Sequence, residues 1–274
     1  MAVMGSPIDV DAYLARIGCA APARPDLAAL KILHRAHVAA IPFENLDIQM
    51  GLPIDLDADA LQASLVRRRR GGYCFQQNGL FRHVLTALGF SPRGCEGRVR
   101  LDAGTTIRPR THMVLLVPFE GRLFLADVGF GANGLVEPVE LGAAPVAQEG
   151  WMYRTRPEGR RHVLQRAGTE AWEDLYVFGE DDVPDIDYVT GNWYTSTHPE
   201  SGFVRSLTVQ RTVEGRRHIV RNLTYSVSEN GQWRSRELAR GELVPLLRQT
   251  FGLDLPDDAR FVAIDGPPGA SRPA

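Results

Sequence analysis

The chain has 274 residues, of which 44% are hydrophobic and 23% charged, with a formal net charge of −2. That composition is ordinary for a globular protein long enough for one large domain or two to three small ones. It excludes bulk electrostatic attraction to nucleic acid or to an anionic membrane surface. No apolar run approaches the ~20 residues needed to span a bilayer. The N-terminus lacks the charged and apolar regions of a signal peptide, so a cytoplasmic location is expected. Cys19, Cys74 and Cys95 form an odd, sparse set with no C-x-x-C pair. This argues for a reducing compartment and against a disulfide framework or a zinc site.

The first ninety or so residues read as helices. One is predicted over 9–17, closed by Gly18; a second over 25–39, with Pro25 near its first turn and Asp26 beside it; a third over 57–69. A fourth starts within Arg70-Gly71-Gly72-Tyr73-Cys74-Phe75-Gln76-Gln77-Asn78. In it Phe81, Val84, Leu85 and Leu88 recur at one-face spacing before Gly89. The paired glycines predict a tight turn. Cys74 is thereby placed at a helix N-terminus, where unpaired N–H groups and the dipole favour thiolate, which makes it a candidate nucleophile. Of the Arg67–Arg70 run, only Arg70 is expected to be more than a solvated helix end.

Beyond residue 90 the pattern changes to short β runs over 97–101, 113–118, 123–128, 136–139, 153–155, 162–166 and 172–177, with Glu120-Gly121 as a hairpin turn. Many short strands suggest a small barrel or a sandwich. A helix is predicted over 184–194. Strands follow over 207–212, 217–222, 224–227 and 232–234, with turns at Glu214-Gly215 and Asn230-Gly231. A last helix over 237–251 stops at Gly252, and the Pro/Gly-rich tail 265–274 is expected to be disordered.

A catalytic thiol needs a base, and the base needs an orienter. His162, His198 and His218 stand in polar context and read as surface residues; His83 lies on the Cys74 helix, more than two turns on. His34 and His37 are left open. His112 stands at the mouth of the most apolar strand, and Asp127 near the end of the next one. An antiparallel hairpin brings the start of the first strand beside the end of the second. A carboxylate embedded there demands a partner, and an imidazolium is the natural one. Gly129-Phe130-Gly131-Ala132-Asn133-Gly134 formally matches a dinucleotide fingerprint. The segment after it looks extended and contains Pro138, so nicotinamide cofactor binding is rejected.

The stretch 70–75 with Asn78, the upstream Ile41-Pro42-Phe43-Glu44-Asn45-Leu46, Thr111-His112-Met113 and Asp127-Val128-Gly129-Phe130-Gly131 resemble the motifs of the arylamine N-acetyltransferases. The resemblance runs from about residue 9 to residue 255. It implies an α+β fold of three regions: a helical bundle over 1–89 carrying Cys74, a β-barrel over 90–190 carrying His112 and Asp127, and an α/β lid over 191–274. The order of the Cys-His-Asp set is the papain- or transglutaminase-like one. The resemblance further implies ping-pong acetyl transfer from acetyl-coenzyme A, a cosubstrate and not a bound cofactor, to arylamines, arylhydroxylamines or arylhydrazines. Cys74 would attack the thioester, His112 would pair with the thiolate, Asp127 would hold His112, and the Cys74 N–H would serve the oxyanion.

By the same resemblance Phe43, Val99, Phe130 and Phe203 line the acceptor pocket, and Thr111, Gly129 and Gly131 approach the coenzyme. No metal, membrane or nucleic acid is implied; a homodimer is left open. Many members carry Glu where this chain has Gln76, which bears on acceptor range. Three other readings stay open: a macrolactam-forming amide synthase using a carrier-bound acyl chain, a thiol hydrolase or transglutaminase-like enzyme, and a binding module that has kept the fold.

Overall fold

The computed structural model describes residues 8–213, 215–229 and 232–266. The chain begins with α1 (Val10–Ile17) and α2 (Leu27–Ala40), then the two-residue strand β1 (Phe43–Glu44), the short α3 (Leu46–Gln49) and α4 (Ala58–Leu61), and α5 (Cys74–Ala87). Asp9 caps α1 by accepting from the Ala12 N–H at 2.9 Å. Asp26 caps α2 in the same way, so the helix expected from residue 25 begins at Leu27, with Pro25 just before the cap. The helix expected over 57–69 is a short α turn continued as a π-helical stretch over Gln62–Arg67. In α5 the predicted face is real: Phe81, Val84 and Leu85 have no solvent exposure and join the core that also holds Leu30, Leu33 and Leu65. Burying such side chains contributes about 1.5–3 kcal/mol each.

The middle of the chain supplies β2 (Arg93–Val99), β3 (His112–Phe119), β4 (Arg122–Ala126), β5 (Val139–Glu140), β6 (Val146–Gln148), β7 (Trp151–Glu158), β8 (Arg161–Ala167) and β9 (Trp172–Phe178). They form one antiparallel sheet in the order β5-β4-β3-β2-β9-β8-β7-β6, curled into a nearly closed barrel. Its filling includes Cys95, Val114, Leu116, Leu125, Leu164 and Phe178. The β3–β4 turn is Glu120-Gly121, both with positive φ (48° and 75°), as a two-residue hairpin of matching twist requires. Two expectations shift. The strand predicted over 97–101 begins at Arg93 and ends at Val99, and the one over 136–139 shrinks to β5. Val136 gives its N–H to Gln148 at 2.8 Å and its carbonyl to His34 at 2.9 Å, so both its backbone groups are used away from the sheet.

The C-terminal region contains α6 (Asp185–Thr197), α7 (Gly202–Arg205), β10 (Thr208–Val213), β11 (Arg216–Arg221), β12 (Thr224–Glu229), β13 (Gln232–Glu237), α8 (Arg240–Phe251) and α9 (Val262–Asp265). Its sheet runs β1-β10-β11-β12-β13, so β1, from the helical region, pairs antiparallel with β10 through Phe43↔Gln210 and Glu44↔Val209. The helical region is therefore not purely helical, and a boundary at 190 falls inside α6. Glu237 belongs to β13 and not to the last helix, which Glu242 caps by accepting from the Ala239 N–H at 2.7 Å. The expected turn residues Glu214 and Asn230-Gly231 and the tail from 267 onward lie outside the described residues. Among the described residues no helix is long and apolar enough to cross a membrane.

Candidate active site

Cys74 is the first residue of α5 and is 4% exposed. The loop before it is shaped by packing. Neither Gly71 nor Gly72 has a positive φ, so the expected conformational reason for them is replaced by another. A Cβ on Gly71 would lie 2.1 Å from the Pro42 carbonyl oxygen, and one on Gly72 would lie 2.8 Å from Gln76 Cβ. Beneath this loop Arg70 is buried against Glu44 (2.8 Å) and Asp47 (2.8 Å), and Glu44 also accepts the Gly71 N–H at 3.2 Å. Arg67, Arg68 and Arg69 are exposed. Gln76 is 5% exposed and turns back to accept the Tyr73 N–H at 3.3 Å, so the amide serves as a helix cap.

The two histidines left open by the sequence lie behind the loop. Gln77 donates to the carbonyls of Pro42 (2.9 Å) and Gly72 (3.2 Å) and accepts from His37 Nε2 at 2.6 Å. His37 Nδ1 in turn accepts from the Tyr13 hydroxyl at 2.8 Å. Burial holds His37 down to about 3 and His34 to about 4, so both are neutral supports.

His112 opens β3, and Asp127 follows the last residue of β4. The register Leu115↔Ala126 and Leu116↔Leu125 sets them diagonally across the hairpin, with His112 Nε2 2.8 Å from Asp127 Oδ2. Cys74 faces the same ring, leaving Nδ1 for the thiol, and its Sγ lies 3.4 Å from the Thr111 carbonyl oxygen. Burial works against a charged imidazole here, yet the adjacent Asp127 charge, its hydrogen bond and Cys74 push His112 up to about 10. Asp127 is likewise buried but held low by His112, Asn78 and the Gly129 N–H. An imidazolium-carboxylate pair through the neutral range follows.

Asn78, noted in the sequence only as a member of a motif, has a defined place. One turn on from Cys74, it donates to Asp127 Oδ1 (2.8 Å) and the Met113 carbonyl (2.8 Å), and accepts the Val128 N–H (3.0 Å). The spacing of four residues from the thiol was the available signal. Tyr176, which packs on His112 at 4.7 Å between ring centroids, carried none, because β9 reaches the site only through sheet pairing.

The apolar candidates divide. Phe43 and Phe203 pack together (5.9 Å), and Phe203 meets Tyr73 (5.5 Å) beside the thiol. Phe130 packs edge-on against His112 (5.2 Å). Val99, half-buried, is paired in the sheet with Tyr176, whose ring packs on His112. Gly129 has a packing reason of its own. A Cβ there would stand 2.8 Å from Cys74 Cα and 2.7 Å from Asn78 Nδ2. Gly129→Ala is expected to lower stability by about 1–3 kcal/mol through backbone overpacking, read as a fall in the thermal midpoint; an unchanged midpoint would show that α5 can yield. A Cβ on Gly131, φ 80°, would meet Gln210 Oε1 at 2.5 Å.

The N-acetyltransferase family model matches residues 26–260. An arylamine N-acetyltransferase of Mycolicibacterium smegmatis is 40% identical over 258 residues, covering 91% of this chain and 94% of the relative. The Salmonella typhimurium arylamine N-acetyltransferase/N-hydroxyarylamine O-acetyltransferase is 38% identical, covering 90% and 89%. Among solved structures, the Mycobacterium marinum arylamine N-acetyltransferase in complex with CoA superposes with a TM-score of 0.85 at 36% identity, covering 89% of this chain and 93% of that one.

Proposed function

The chain belongs to the arylamine N-acetyltransferase family, and from that premise we propose that it moves an acetyl group from acetyl-coenzyme A to an aromatic amine, hydroxylamine or hydrazine through a thioester on Cys74. It is an acyltransferase, with acetyl-coenzyme A as cosubstrate. The observation that carries the mechanism is the buried His112–Asp127 pair facing a thiol at a helix start.

In the first half-reaction the Cys74 thiolate, paired with the His112 imidazolium, attacks the thioester carbonyl. The new carbon–sulfur bond forms as the carbonyl pair moves onto oxygen, where the Cys74 N–H at the start of α5 stabilises it. Collapse breaks the bond to the coenzyme sulfur, and His112 supplies the proton that makes the free thiol. In the second half-reaction the amine attacks acetyl-Cys74, neutral His112 takes the amine proton, and thiolate and imidazolium are restored. Asp127 keeps Nδ1 aimed at the sulfur throughout. Phe43, Phe130 and Phe203 give an aromatic acceptor apolar walls, with Val99 contributing behind Tyr176. Gly129, Gly131 and the Thr111 backbone form the approach for the coenzyme. The N-terminal region supplies the nucleophile, the barrel supplies the histidine and carboxylate, and the C-terminal region from α6 onward serves as a lid.

Intact-protein mass spectrometry after mixing with acetyl-coenzyme A tests this. One added acetyl group, absent from Cys74→Ala and discharged by an aromatic amine or hydrazine, is the expected result. An unmodified protein whose Cys74 still reacts rapidly with iodoacetamide would overturn the choice of donor and favour a carrier-bound acyl chain. Release of free acetate with no transfer to the amine would favour a hydrolase.

A further inference from the structure

The loop that follows Asp127, residues 129–134, has no regular structure, yet one of its residues, Ala132, is held through both its backbone groups by side chains from the C-terminal sheet. Gln210 on β10 accepts the Ala132 N–H at 2.8 Å, and its own amide donates to Thr208 Oγ1 at 3.0 Å. Arg217 on β11 donates to the Ala132 carbonyl, and its other terminal nitrogen donates to the Tyr153 hydroxyl at 3.1 Å. Tyr153 passes the tie back to the same loop, lying 2.9 Å from the Gly134 carbonyl oxygen. Ala132 is itself 1% exposed.

Arg217 is the feature that asks for a reason. It is 2% exposed, and among the described residues it forms no ion pair. Its partners are a carbonyl, a phenol and the face of Trp151 at 5.1 Å. A guanidinium buried without a carboxylate is costly. Stability alone therefore does not account for a cation at this place. What it holds is the peptide two residues beyond Phe130, the ring set edge-on against His112. At the other end of the same loop, the Gly129 N–H donates to Asp127 Oδ1 at 2.8 Å.

We propose that Gln210 and Arg217 are positioning residues that act through the 129–132 backbone, fixing Phe130 and the Gly129 N–H and so the orientation of the His112–Asp127 pair. The proposal rests on the triad reading above. The titratable groups facing His112 are Cys74 from α5, Asp127 from the end of β4 and Tyr176 from β9. Gln210 and Arg217 reach the pair only through the loop. Loosening the loop weakens the hold of His112 on its proton, and hence its support for the Cys74 thiolate.

The test compares wild type with Arg217→Met, Arg217→Lys and Gln210→Leu in the full chain. Two readouts are the rate of Cys74 alkylation by iodoacetamide against pH, which needs no acyl donor, and the acetylation rate with acetyl-coenzyme A. Expected for Arg217→Met is an alkylation profile of the folded protein whose acid limb moves to higher pH, with acetylation slowed about tenfold. Arg217→Lys, which keeps the charge and can reach only one partner, should recover some of the loss. Gln210→Leu should shift the profile in the same direction. The double variant should lose less than the sum, because both residues hold the backbone of Ala132. A lowered midpoint with the wild-type alkylation profile in the folded fraction would make both residues structural only and overturn the proposal. If no variant is acetylated although its alkylation profile is that of wild type, the failure belongs to the donor assignment and the positioning role is overturned as well.

Discussion

His112→Gln is expected to slow acetylation of Cys74 by ~10²–10⁴-fold, the range that a positioned acid-base group contributes. Glutamine fills the space of the ring and can still meet Asp127, but it carries no proton to exchange and no charge. Two effects then add. The thiolate loses the imidazolium that faces it, and the departing coenzyme sulfur loses its proton source. Alkylation by iodoacetamide separates them, because it reads the thiolate alone. In wild type His112 is pushed up to about 10, so an imidazolium faces the sulfur through the neutral range and alkylation near pH 7 should be faster than in the variant. In the variant the rate should be low near pH 7 and climb as pH rises. Wild-type alkylation in His112→Gln near neutral pH would detach His112 from the thiol and would return the binding-module reading to favour.

Asp127→Asn should cost nearly as much, by a different route. Asp127 Oδ1 accepts two donors, the Asn78 amide and the Gly129 N–H, both at 2.8 Å, while Oδ2 meets His112 Nε2. An asparagine has one acceptor oxygen. The two fixed donors claim it, so the NH2 group is turned toward His112. Nε2 must then accept, which puts the ring proton on Nδ1, facing the thiol, and abolishes the base. Loss of the carboxylate also removes the chief charge that keeps His112 protonated in a buried site. A drop of ~10³–10⁴-fold in acetylation is expected, the size seen when a triad carboxylate is neutralised with its geometry intact. The resonance of the His112 ring protons reports the tautomer directly. An activity loss of less than tenfold, with the proton still on Nε2, would show that Asn78 and Gly129 tolerate the amide in the opposite orientation. The further change Asn78→Asp in that background supplies an acceptor for the NH2 group and tests whether its orientation is what matters.

The site shows how far local patterning reaches. Cys74 at a helix start was legible because Phe81, Val84 and Leu85 declare the face of α5 and the loop before it is marked by glycines. His112 and Asp127 were legible because two apolar strands with a Glu-Gly turn between them have one sensible pairing. The reason for the glycines was not legible. Gly71, Gly72 and Gly129 are required by atoms of other residues, namely Pro42, Gln76 and Cys74, and not by their own φ. Gln76 likewise reads as a departure in charge until its amide is found capping the backbone of Tyr73.

What the sequence by itself determined is what repeats with a local period or sits at a local punctuation mark: the helices α1, α2 and α5, most strands of the barrel, the hairpin, and the order of thiol, imidazole and carboxylate. These follow from side-chain periodicity and turn chemistry, which act over a few residues. Only the tertiary structure decided that β1 would leave the helical region to edge the last sheet. The same holds for His34 and His37 as buried neutral supports, and for Gln210 and Arg217, which arrive from the C-terminal sheet to hold the loop beside His112. Each of these depends on which surfaces meet across scores of residues. A histidine, a glutamine or an arginine carries no mark in its own neighbourhood of the partner that will take it out of water.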